Sequence, residues 1–414
     1  MSQARPAPEF DAPKHALVLS GARVAIDPSH TLRAELVLRD GTIEAILPGD
    51  EAVRATTIQH ADEIELKDHL ILPGLINVHD HLQFGAFPRL GRGPYPSWRE
   101  WAGDIYRPSK PPLRGLLEIP QETRLWSGVL RNLLSGVTTV CHHDAAHPCF
   151  SSPAMPLTVH TAFGWAHSLD DPRWKDRYAN TPEDWPFIVH CGEGLDARSR
   201  RDAGKFRRGA RLDDRAVFVH AIGIPQRDWT PLRAAGVWIV WCPTSNLHIL
   251  GRTLPHELLM KYPSIALGSD SPISAAGDLL DELKAAREIY DLPADLLYRM
   301  VTTRAARLLR LPRENGSIAA GGPADLLIVR DTGQTPGDAL ASLSRGDIAA
   351  VVHMGAVKAC SSEFYRRHGR LLPDLTGSVM RHGVCWHVAV PAEVLAIDMQ
   401  QATEDSSAYA EARK

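Results

Sequence analysis

Between residues 71 and 312, short apolar runs alternate with helical stretches, and four of the runs end in histidine or aspartate. Runs at 71–79, 136–143, 157–167, 186–191, 215–221, 236–242 and 264–270 read as strands. Stretches at 121–135, 278–290 and 294–309 read as helices, the second with Asp278 placed to cap it. This alternation implies parallel βα units. A chain of 414 residues is too long for one ordinary core. It suits an α/β fold: a (β/α)8 TIM-like barrel of roughly 250 residues plus a smaller domain. Flanking segments change pattern. Residues 15–70 alternate apolar and polar around the hairpin signal Asp40-Gly41, and the same alternation returns after about residue 313. The expected organisation is therefore a small β-sandwich built from 1–70 and 313–399, a barrel over 71–312, and a polar tail over 400–414. One βα unit is hard to find. About twenty residues separate Ala166 from Phe187, too few for helix–strand–helix. Either one strand is cryptic, the preferred reading, or the barrel has a degenerate βα unit.

The run Leu72-Pro73-Gly74-Leu75-Ile76-Asn77-Val78 leads into His79-Asp80-His81. Residues i and i+2 of a strand share a side, so both imidazoles aim at one point. Converging neutral imidazoles suit a borderline divalent metal. Phe187-Ile188-Val189-His190-Cys191-Gly192-Glu193 is a second apolar strand ending in histidine, with an acid three residues on. Ala216 to His220 is a third, and Ile265-Ala266-Leu267-Gly268-Ser269-Asp270 ends in an aspartate. Each alone has a bland reading as a helix cap or a satisfied core side chain. Their joint order places all of them at carboxyl ends of barrel strands, where such folds carry chemistry.

These motifs resemble the amidohydrolase superfamily, in particular its metal-dependent aminohydrolase and deaminase branch. Pro73 to His81 is similar to the first-strand metal motif, and His190-Cys191-Gly192-Glu193 to a deaminase His-x-Gly-Glu. Trp241-Cys242-Pro243-Thr244-Ser245-Asn246 resembles a segment of guanine deaminase and triazine chlorohydrolases, and Gly268-Ser269-Asp270 the last-strand Ser-Asp. The resemblance implies His79, His81, His190 and Asp270 as metal ligands. It also implies Glu193 as proton shuttle, His220 as the group that orients and deprotonates the attacking water, and Asp270 as a second acceptor for that proton. The implied reaction is hydrolytic deamination of an amino-substituted heterocycle by metal-bound hydroxide. The chemistry stands without the name, since a divalent ion lowers the pKa of bound water to about 7. One ion, zinc or iron, is expected: Lys110 and Lys175, the lysines between the first two motifs, end no apolar strand and so supply no bridging carbamate. A second metal at His142, His143 and His147 is the lesser reading.

Gln83, Arg89, Trp98, Trp101, Trp165, His167 and His143 are the candidates to meet substrate, because they follow or end the strands that carry the motifs. Ser271 stands where adenosine deaminases carry a second aspartate, which argues against adenosine itself. Two competitors remain: a cyclic-amide or other C–N or C–Cl hydrolase of the same superfamily, and a noncatalytic scaffold, which would not need this set of residues. A net charge of −3 gives no reason to expect nucleic acid or a membrane, and the arginines between 198 and 208 read as a solvated face. Six cysteines without a paired framework, and no apolar signal segment in Met1 to Pro13, point to the cytoplasm. A small-molecule substrate is the expected partner, and the resemblance adds self-association into a homo-oligomer.

Overall fold

The computed structural model describes residues 16–49 and 61–396, so the tail expected after 400 and the segment Met1 to Pro13 lie outside the described residues. The protein is an α/β fold with parallel sheets. Parallel strands β1 (Leu75–Asp80), β2 (Val137–His142) and β3 (Thr158–His160) form one sheet. Strands β4 (Gly164–Ser168), β5 (Phe187–Cys191), β6 (Ala216–His220), β7 (Trp238–Trp241) and β8 (Ile265–Leu267) form a second, paired in chain order. Most of these strands are buried along their whole length, as sheets covered on both faces must be. Successive side chains feed different clusters. Phe187, Val189, Phe218 and Ile239 join residues from helices such as Leu130 and Phe206. Ile188, Val217, Val219 and Val240 join a cluster drawn chiefly from the strands.

The run 157–167 is two strands rather than one. Only residues 161–163 separate β3 from β4. A parallel neighbour needs a crossover of roughly a dozen residues or more. The two strands accordingly do not pair: β3 pairs with β2, and β4 pairs with β5. Eight parallel strands are thus present. What is missing between β3 and β4 is a helix, and the ladder is open there. At the opposite seam, β8 meets β1 through a single bridge, Asp80 to Asp270.

The flanking β segments do pair with each other. Leu326–Arg330 runs antiparallel to His69–Pro73, and both belong to an 11-stranded sheet that also takes in Leu17–Ser20 and Val384–Val388. Asp40 and Gly41 both adopt positive φ and join Thr31–Arg39 to Thr42–Pro48, as a two-residue hairpin turn requires.

Four helices matter to the site: α1 (Trp98–Ile105), α2 (Gln121–Leu134), α3 (Pro243–Leu250) and α4 (Leu279–Tyr290). Helix α2 buries Leu125, Val129, Leu130 and Leu133, a helical stripe laid against β2. Helix α4 starts in a capping box: Asp278 accepts from the Leu280 amide at 3.0 Å, and Asp281 accepts from the Asp278 amide at 3.0 Å. The stretch expected as one helix over 294–309 is two, Ala294–Met300 and Thr303–Leu308. At the break, the Thr302 hydroxyl bonds the Tyr298 carbonyl at 2.6 Å.

Candidate active site

The four strand-end motifs converge. His79 lies in β1 and His81 just past it. His190 lies in β5 with Glu193 beyond it, His220 closes β6, and Asp270 follows β8. The register of β1 against β2 slips between Asn77 and Asp80, the kind of irregularity that re-aims side chains beside active sites. At β6 the device is different. Val217 and Val219 face the strand-lined cluster, so strict alternation would send His220 to the helix side. Instead His220 takes φ 68° and Asp270 takes φ 55°. Left-handed backbone in residues other than glycine is costly and concentrates at functional sites. Here it turns both side chains to the common point. The seam holds them: the Asp270 amide donates to the His79 carbonyl at 3.0 Å, and the His81 amide to the Asp270 carbonyl at 3.4 Å.

The donor atoms of His79, His81, His143 and His190 lie within 4.8 Å of one another, all four residues buried. Asp270 Oδ1 is 3.7 Å from Nε2 of both His79 and His81. Burial pushes the pKa of His81, His143 and His190 well below the ordinary imidazole value, so these rings carry lone pairs rather than charge. Burial opposes ionisation of Asp270, but the surrounding histidines, His79 first, hold its carboxyl well below the usual range. Neutral nitrogen donors and one carboxylate, packed with almost no hydrogen bonds among them, fit a divalent cation. His79 Nδ1, His143 Nδ1 and His220 Nε2 are buried without any hydrogen-bond partner.

Two further groups complete the site. His220 Nδ1 lies 2.8 Å from Asn246 Oδ1, and Asn246 Nδ2 in turn meets Thr253 Oγ1 at 3.4 Å. An amide oxygen only accepts, so Nδ1 carries the proton and Nε2 presents its lone pair to the site. That Nε2 is 3.7 Å from Glu193 Oε1 and 4.0 Å from Asp270 Oδ2. Burial, then the nearby Asp270 charge, raises the Glu193 pKa well above the carboxylate range, against a smaller opposing pull from Arg99. Burial therefore favours the protonated form of Glu193.

Around these lies a layer of positioning contacts. Ser245 and Ser274 donate to Asp270 Oδ2 at 2.6 and 2.8 Å. Asp80, fully buried, receives Arg131 at 2.7 and 2.6 Å and Asn132 at 2.7 Å. Asn77 bonds Asn132 and Ser269, which ties β1 to α2 and to the end of β8. His190 Nδ1 donates to the His167 carbonyl.

Of the candidate substrate contacts, Trp98 and His167 stand together with ring centroids 5.3 Å apart, and His167 is 4.9 Å from His190 with its side chain exposed at the mouth. Trp165 sets its ring edge-on to His143 at 5.8 Å and is covered by Arg177. Gln83 Nε2 donates to Asp144 at 2.8 Å, while its Oε1 is buried without a partner. Trp101 packs among Phe87, Leu90 and Leu113 and donates to the Leu90 carbonyl at 3.0 Å; Arg89 is exposed. The segment leading into α1 docks on the turn that carries Glu193. The Trp98 amide donates to the Glu193 carbonyl at 3.2 Å, and Leu195 to the Pro96 carbonyl at 2.7 Å. A Cβ on Gly194 would come within 2.5 Å of Ser97 Cβ, so glycine permits this approach. Arg99 pins the helix by bonding Asp170 at 2.6 Å and Ser199 at 3.2 Å.

A profile of the amidohydrolase family matches residues 182–358, which contain His190, Glu193, His220 and Asp270. The 5-methylthioadenosine/S-adenosylhomocysteine deaminase of Syntrophobacter fumaroxidans is 23% identical over 379 residues, covering 76% of this chain and 84% of that protein. Over residues 182–358 the chain is similar to the amidohydrolase family. The 5'-deoxyadenosine deaminase of Methanothrix thermoacetophila is 29% identical over 128 residues, covering 28% of this chain and 30% of that protein. Among solved structures, a zinc-complexed variant of atrazine chlorohydrolase from Arthrobacter aurescens superposes with TM-score 0.67 at 19% identity, over 82% of this chain and 94% of that chain. A zinc-bound adenosine deaminase from Xanthomonas campestris gives 0.59 at 19% identity, over 83% and 93%.

Proposed function

We propose that this protein is a mononuclear metal-dependent amidohydrolase that hydrolytically deaminates an amino-substituted heterocycle. One observation carries the reading. Neutral imidazoles and a carboxylate converge beside a buried Glu193, whose surroundings favour its protonated form, and a His220 that presents a bare lone pair. His79, His81, His190 and Asp270 would hold the cation, zinc or iron, and it would supply a hydroxide nucleophile at neutral pH. His220 Nε2 orients the attacking water and accepts its proton, with Asp270 Oδ2 as the neighbouring acceptor. Glu193 donates its proton to the ring nitrogen as the carbon is attacked. It then takes water's second proton, from the hydroxyl now on the carbon, and passes it to the departing amine, so ammonia leaves, a ring carbonyl remains, and the proton held by His220 restores Glu193. The deaminase names of the relatives support this, and the chlorohydrolase supports a second reading, hydrolysis of a cyclic amide or C–Cl bond on the same machinery. The mouth formed by Trp98, Trp165 and His167 suits a flat ring. We read the two parallel sheets as a (β/α)8-type barrel with one degenerate unit over 71–312, flanked by a β-sandwich from 1–70 and 313–399. The unpaired cysteines suit the cytoplasm. Among the described residues no helix is long and apolar enough to cross a membrane.

Ammonia release from purines, pyrimidines, pterins, triazines and cyclic amides tests the reading. Release from an amino-heterocycle is expected. Ring opening without ammonia would favour the second reading, and metal-loaded protein inert to all would favour a noncatalytic role.

The pH profile follows from two groups. His220 must be unprotonated, and burial lowers its pKa to about 4, so kcat should fall as pH drops through about 4. Glu193 must be protonated, and its pKa is raised, so kcat should fall on the alkaline side as that proton is lost. Steady-state rates across pH check this: a rate that rises monotonically from acid to alkaline pH would remove Glu193 from the acid role.

Gly268 lies against His79. A Cβ there would sit 2.7 Å from His79 Cβ and 2.8 Å from Val240 Cγ1. Gly268→Ala should displace His79 and lower the bound metal per chain, measured by elemental analysis, while circular dichroism stays near wild type.

A further inference from the structure

We infer that His143, at the end of β2, is an additional donor to the cation held by His79, His81, His190 and Asp270. The inference rests on the reading of that cluster as a metal site. His143 is 1% exposed, and its Nε2 lies 3.2 Å from the Ala166 carbonyl oxygen. A carbonyl only accepts, so Nε2 carries the proton and Nδ1 carries the lone pair. That Nδ1 is buried and has no hydrogen-bond partner. A buried acceptor without a partner costs roughly 1–3 kcal/mol, so the fold tolerates it only where something else engages it.

The surroundings say what engages it. The His143 ring centroid is 4.7 Å from that of His190, 5.0 Å from His79 and 5.6 Å from His81, on which it stacks. Its donor atom shares the 4.8 Å cluster with theirs. Trp165 closes one side edge-on. The backbone is fixed as well: the His143 amide donates to the Asp80 carbonyl at 2.9 Å, in the middle of the His79-Asp80-His81 motif. A substrate N–H would have to enter among four converging imidazoles to reach Nδ1, whereas a cation shared by all four satisfies it in place. The site then offers four imidazoles and a carboxylate. A nitrogen-rich set of this kind favours the later first-row divalent ions over manganese or magnesium. Because His143 and His190 donate outward to successive carbonyls at the end of β4, Ala166 and His167, one strand end orients both rings.

The test compares wild type with His143→Ala and His143→Asn. Zinc affinity is measured by competition with a chromophoric chelator, and cobalt(II) is substituted to read coordination from its visible spectrum. Partners one step removed from a metal are worth ~10–100-fold in affinity. Loss of a donor should therefore weaken zinc by roughly 100-fold or more, and the cobalt bands should intensify as coordination number falls. The spectral change in His143→Asn keeps the test readable if the alanine variant folds poorly. Unchanged zinc affinity and an unchanged cobalt spectrum, with only KM altered, would overturn the inference and make His143 a substrate contact. Wild type that binds neither zinc nor cobalt would instead overturn the metal reading of the whole cluster, and this inference with it.

Discussion

Glu193→Gln should retain its metal and its fold and lose roughly 10²–10⁴-fold in kcat. The side chain is 7% exposed and stands 3.7 Å from His220, and its carboxylate lies within 4.8 Å of the donor atoms of both His190 and His220. Glutamine matches its volume, so the packing against the docked α1 segment survives. What disappears is the acidic proton that the environment favours on this carboxyl. Burial and the Asp270 charge keep that proton bound, and an amide cannot exchange it. The change should fall on kcat rather than on KM. Equal metal content in wild type and variant, by elemental analysis, separates proton transfer from metal loss. An unchanged rate would remove Glu193 from the mechanism.

Arg131→Met should destabilise the protein by about 3–5 kcal/mol, the usual cost of leaving a buried charge without its partner. Asp80 is fully buried, and Arg131 answers it with two short contacts from one guanidinium nitrogen. The same guanidinium donates to the Gly277 carbonyl, next to the capping residue of α4. The pair therefore joins β1, α2 and the segment that runs from Asp270 to α4. The measurement is urea unfolding of metal-free protein, which excludes any contribution from bound ion. Adding Asp80→Asn to Arg131→Met should restore much of the loss, because the unpaired charge goes with it. An Arg131→Met variant as stable as wild type would show that Asp80 takes up its proton or finds water instead.

The histidine-rich cluster was legible because each of its motifs closes an apolar run, and such runs become buried strands wherever they lie in the chain. His79, His81, His190, Glu193, His220 and Asp270 meet for that reason. The groups that tune them carry no such mark. Asn246 lay visible in a recognisable motif, but its role as the acceptor fixing the His220 tautomer depends on β6 and α3 ending side by side. Ser245, Ser274, Asn77, Asn132 and Arg131 are ordinary polar residues whose partners are distant in sequence. Nothing in the sequence marks Asp80, at the centre of the His-x-His, as the partner of Arg131, 51 residues further on. The strand count failed for a topological reason. An apolar run of eleven residues looks continuous, yet a three-residue break lets its halves pair with different sheets and removes the helix that normally spaces them.

The central claim is that the strand ends build one metal site. Elemental analysis of purified wild type beside His81→Ala and Asp270→Asn tests it most directly. The expected result is about one equivalent of zinc or iron per wild-type chain and a large loss in both folded variants. Wild-type protein that takes up no divalent metal, or variants that keep the full complement, would contradict the account.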